Sequence, residues 1–158
     1  MIAIRKYRDL WQYIADNTAV DRHYFLHLDA DLALVIRDIP NNTIFLLATI
    51  PSGDCQSTNH DDVEEIDTNY VWVLKKTDQT TLTPDLFISD LHTTQEILSS
   101  VKSLLKSLAM DTDHATDFSH DLHNLQLNGL HTEAEYNLFG CNGWGMAFSI
   151  KSPGFFNN

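Results

Sequence analysis

The residues that could do chemistry cluster between 111 and 123, where Asp111, Asp113, His114, Asp117, His120, Asp121 and His123 alternate acid and imidazole. His120 and His123 beside Asp117 and Asp121 form the nearest approach to a metal ligand set. Zinc sites usually show tighter, repeated ligand spacing, and no His-Glu-x-x-His helix motif is present. The same residues read better as solvated loop histidines. Asp111, Asp113 and Asp117 occupy positions 1, 3 and 7 of a calcium loop, yet position 6 is Thr116 where the loop needs glycine. Position 12 is Leu122 where it needs a bidentate glutamate. His23 and His27 fall four apart on a stretch expected to be extended, which separates them. Cys141, within Gly140-Cys141-Asn142-Gly143-Trp144-Gly145, could be a nucleophile beside a glycine-rich anion nest. Asn142-Gly143, however, is a strong hairpin signal that leads directly into an alternating strand. The glycines also lack the Lys-Ser/Thr ending of a phosphate loop. No catalytic residue, metal ligand or cofactor is therefore assigned, and a non-enzymatic role is expected.

The elements that would position any such site are clearer. Leu91, Leu98, Val101, Leu105 and Leu108 recur at three- and four-residue steps, widened by Ile97 and Leu104, and predict a long amphipathic helix from Ser89 to Met110. Thr93 and Glu96 have capping-box spacing, so the regular helix could begin as late as Thr94. Tyr7, Leu10, Trp11 and Ile14 predict a first helix over 2–16, stopped at Asn17. A short strand is expected over His23–Leu28. Asp29 then has N-cap character, and Leu32, Ala33 and Ile36 predict a helix ending before Pro40. A hairpin through 40–42 competes with it. Thr43–Ile50 is an almost unbroken apolar run, as in a strand covered on both faces.

The stretch 51–69 carries Asp54, Asp61, Asp62, Glu64, Glu65 and Asp67 without a Lys or Arg, and is expected to be a long acidic loop. Strands are expected over 70–75, 122–128 and 130–138, the last two divided at Asn128-Gly129. In the closing strand, Trp144, Met146, Phe148 and Ile150 alternate with the small Gly145, Ala147 and Ser149. The small face suits close approach of another backbone or helix, so Gly145 and Ala147 are candidate interface residues. Trp11, Tyr70, Trp72 and Trp144 are expected in the core. A tail over 152–158 ends in Phe155 and Phe156, also candidate subunit contacts. The expected fold is a single α+β domain over 1–158, ordered α-β-α-β-β-α-β-β, with a mostly antiparallel sheet flanked by two to three helices.

Ten basic against 22 acidic residues give a formal net charge of −12, which opposes recognition of nucleic acid through its phosphates. The basic residues are unevenly placed, with Arg5, Lys6 and Arg8 crowded near the start. Two cysteines far apart do not make a disulfide framework. With no apolar signal core and no apolar run near 18 residues, a cytosolic protein with no membrane partner is expected.

The segments Tyr7-Arg8-Asp9-Leu10-Trp11, Phe25-Leu26-His27-Leu28-Asp29 and Gly143-Trp144-Gly145-Met146-Ala147-Phe148-Ser149-Ile150 resemble small neck and tail proteins of tailed phages. The order of elements is similar to the tail-terminator and tail-completion group. That resemblance implies a structural ring subunit, commonly sixfold, joining tail tube to head connector. Its partners would be copies of itself, tail-tube and head-connector proteins, and DNA only by passage. It would reside in host cytoplasm during assembly and then in the virion. Asp61, Asp62, Glu64, Glu65 and Asp67 would form a DNA-facing or partner-facing acidic surface. The competing expectation from charge alone is a free acidic module that binds a basic protein, with a metal enzyme at 114–123 third.

Overall fold

A computed structural model describes residues 4–26, 29–59, 62–111, 118, 122, 125–126 and 129–153. For 26, 29–32, 54–59, 62–65 and 152–153 only the backbone is described. The described chain is α+β, with three helices and a mixed six-stranded sheet.

The first helix, α1 (Ile4–Asp16), buries Tyr7, Leu10, Trp11 and Ile14, the residues whose spacing predicted it. Asn17 ends it by donating both its backbone N–H and its side-chain amide to the Tyr13 carbonyl. Strand β1 (Arg22–Leu26) leads to helix α2 (Asp29–Arg37), so the helix prevails over the hairpin at that point. Strand β2 (Ile44–Thr49) then runs parallel to β1. Its Phe45, Leu46, Leu47 and Ala48 are all buried, as the apolar run required.

The expected loop over 51–69 is instead a β-hairpin. Strand β3 (Ser52–Asn59) pairs antiparallel with the first half of β4 (Asp62–Lys76), a 15-residue strand. Its acidic, weakly apolar sequence hides this, because pairing with a neighbour supplies what β propensity does not. β2 and β3 lie in succession along one edge of β4, divided at Ile50-Pro51. Along the other edge lies β6 (Cys141–Pro153), in register from Glu64↔Pro153 to Lys76↔Cys141. β6 thus takes in the start of the expected tail, and 154–158 lie outside the described residues. Strand β5 (His131–Leu138) closes the sheet, giving the order β1-β2-β4-β6-β5 with β3 beside β4. The strand expected over 122–128 is reduced, among described residues, to a single bridge between Leu125 and Ile150.

The long helix α3 (Pro84–Met110) starts five residues before the expected Ser89. Thr83 caps it by accepting from the Leu86 N–H, and Pro84 occupies its first turn. Thr93 is interior, donating its hydroxyl to the Ser89 carbonyl. α1 and α3 cover one sheet face, packing on Leu46, Ala48, Val71, Val73, Met146, Phe148 and Ile150. α2 and the turn after it cover part of the other, with Ile36 and Ile39 on Phe45, Leu47, Leu74 and Cys141. Lys75 links the first layer electrostatically, 2.5 Å from the Asp90 carboxylate of α3, which also accepts from the Thr77 hydroxyl at 3.0 Å.

Candidate functional site

Strand alternation decides which side chains share a surface. Tyr70, Trp72 and Leu74 of β4 point to the α2 side of the sheet. Register sets Tyr70 opposite Ala147 and Trp72 opposite Gly145, and places His131 and Glu133 across from Ala147 and Gly145. The residues of the α2 layer pack on β2, on Leu74 of β4 and on the hairpin end of β5 and β6, at Leu138 and Cys141. Over β4, β6 and β5 there remains a cleft of about 220 Å³, open solvent included, lined by Tyr70, Trp72, His131, Glu133, Gly145 and Ala147.

The cleft is aromatic and acidic. The Tyr70 and Trp72 rings lie nearly parallel, centroids 6.1 Å apart and planes inclined by 17°. Tyr70 is 44% exposed, a correction to its expected place in the core. Gly145 makes room for the indole, since a Cβ there would stand 2.9 Å from Trp72 Cδ1 and Nε1. At Gly145 the space beside the strand is thus taken by the Trp72 side chain. The indole N–H donates to Glu135 Oε1 at 3.0 Å, which fixes the ring and one carboxylate together. Glu133 stands 3.9 Å from His131 at the surface. Among the described residues no Lys or Arg lines the cleft. Tyr70–Trp72 and His131–Glu133–Glu135 are each spaced by two in the sequence, a readable mark of one strand face. Their convergence depends on β6 lying between them, which spacing alone does not give.

The other candidates separate. Phe155, Phe156 and Asp61 lie outside the described residues, as does nearly all of 112–123, including His114, His120 and His123. Asp62, Glu64 and Glu65 lie on the arm half of β4, paired with β3 and, for Glu64 and Glu65, with β6. Asp67 is 2% exposed, so its carboxylate belongs to no solvent-facing acidic surface. The two-residue period turns it, like Asn69, to the side of the sheet covered by α1. There its charge adds to burial in raising the Tyr7 phenol above its ordinary range; the Trp11 indole opposes this. Cys141 is buried and free, and burial pushes its thiol up to about 11 against the opposing Lys76 charge. A thiol so protonated is no nucleophile near neutrality. The turn beside it is Phe139-Gly140, with φ of 50° and 80°, and Asn142-Gly143 lies within β6. Among the described residues no three His, Cys, Asp or Glu side chains gather as a metal site, and no helix is long and apolar enough to cross a membrane.

The chain matches no protein-family model and no curated protein.

Proposed function

We propose that the chain is a non-enzymatic assembly subunit, and that its setting is the neck or tail-terminator ring of a tailed phage or a related tail-like device. The observation that carries the reading is the extended half of the sheet. β4 runs 15 residues, with β3 on one edge and β6 on the other, and β3 has β4 as its main tertiary partner. An arm of paired strands reaching past the helix-covered core offers edges and faces to neighbours without needing a pocket. The open cleft over β4-β6-β5 adds a second contact surface. The net charge of −12 agrees with a channel wall past which DNA slides without adhering. The sequence resemblance supplies the particular assembly.

The test is molar mass by light scattering over a range of concentrations, with and without a tail-tube subunit encoded nearby. A closed ring in either condition supports the reading and fixes the copy number. A monomer indifferent to the tube subunit overturns it. The acidic-aromatic cleft also favours a second reading, a free module binding a basic protein. That reading requires binding at low salt that weakens steeply toward physiological ionic strength.

A further inference from the structure

We infer that the cleft between β4, β6 and β5 receives the basic first turns of α1 from a second copy of the chain, the contact that would close the ring; this rests on the assembly reading above. Three of the ten basic residues, Arg5, Lys6 and Arg8, fall within four positions at the start of α1. No acidic residue lies in that first turn. Positive charge there opposes the helix dipole, so the sequence accepts a local cost. At Arg5 and Arg8 the fold repays little of it. Arg5 is exposed, and among the described residues Arg8 meets only its exposed neighbour Asp9 at 3.1 Å, a surface pair of small worth.

The cleft offers Arg5 and Arg8 partners of another kind. The Tyr70 ring, nearly parallel to that of Trp72, is part exposed, and Glu133 stands exposed beside it on the same cleft. A guanidinium over an aromatic face beside a carboxylate joins cation–π attraction to an ion pair. Arginine suits this position because it is planar and weakly hydrated. Within one molecule the two surfaces cannot meet, because α1 packs on the Leu46–Val71–Phe148 face and the cleft opens on the opposite face of the same sheet. Different, complementary surfaces on opposite sides of one subunit define a heterologous, head-to-tail contact. Such contacts close into rings when the rotation allows it.

A charge exchange tests this. The variants R5E/R8E and E133R are prepared separately, with thermal melting checked against wild type because all three positions are on the surface. Light scattering then follows association of wild type, each variant alone, and an equimolar mixture. We expect each variant alone to need at least about tenfold higher concentration to associate, and the mixture to recover wild-type association, since each variant complements the other. Two variants that associate like wild type would overturn the inference while leaving the ring intact. Loss in both variants without recovery on mixing would also overturn it, and would assign the two surfaces to different partners. A wild-type chain that stays monomeric, tube subunit included, would remove the assembly reading and this contact with it.

Discussion

At Gly143 the sheet has no room for a side chain: a Cβ there would overlap the Val73 carbonyl oxygen and stand 2.9 Å from Leu74 Cα. Both obstacles are backbone of β4, which cannot turn aside as a side chain can. Gly143→Ala is therefore expected to cost about 2–3 kcal/mol or more by overpacking, read as a melting temperature lower by roughly 5–10 °C. Two buried acids set a second expectation, at alkaline pH. The unfolded chain releases the Cys141 proton near its ordinary 9.0, whereas the folded chain holds it to about 11; burial raises the Tyr7 phenol in the same direction. Below pH 9 both groups are protonated in both states and contribute no pH dependence. As pH rises through 9 to 11, unfolding releases protons first, so stability falls. For Cys141 alone the loss approaches about 2–3 kcal/mol by pH 11. Melting temperatures recorded from pH 8 to 11 should decline for wild type and decline less steeply for Cys141→Ala. An identical slope in the two would mean that the thiol ionises as freely folded as unfolded.

Among the elements, the β5–β6 hairpin carries visible strain. Its two-residue turn places Phe139 and Gly140 at positive φ, the pattern of a type I′ turn, for which asparagine and glycine are the favoured pair. The turn is held by the Thr77 N–H donating to the Gly140 carbonyl at 3.1 Å and by Lys76 Nζ donating to that of Phe139 at 3.4 Å. Phe139 is 53% exposed, so little burial is lost on replacing it. Phe139→Asn should stabilise the fold by about 0.5–1 kcal/mol, read by chemical denaturation. The sequence pointed to a turn in this region but to Asn142-Gly143, because the dipeptide preference is local and the register with β4 is not. α1 and α3 were legible because their cores repeat at helical spacing. The strands of 52–69 were not, because their acidic, weakly apolar residues carry little β propensity and their order comes from pairing within the hairpin and with β6. The candidate cleft was half legible: Gly145 and Ala147 stood out by size, whereas Glu133 and Tyr70 join them only through the β5-β6-β4 alignment.

Over the whole molecule, charge and architecture act together. A net charge of −12 on 158 residues makes the compact state repel itself. Adding salt screens that repulsion over a Debye length that shrinks to about 10 Å at 0.1 M. The melting temperature is expected to rise by a few degrees, on the order of 1 kcal/mol, between about 20 and 200 mM sodium chloride. A fall over that range would show that attractive pairs outweigh the net repulsion. The β4–β6 pairing has a mechanical consequence as well. The two strands stay in register from Glu64↔Pro153 to Lys76↔Cys141, and the arm and the core are two halves of the same pair. A pull on the arm along the strands loads these hydrogen bonds side by side in shear, so they yield together. A pull across the strands would open them one after another, at much lower force. The same fold is therefore stiff in one direction and easily peeled in another.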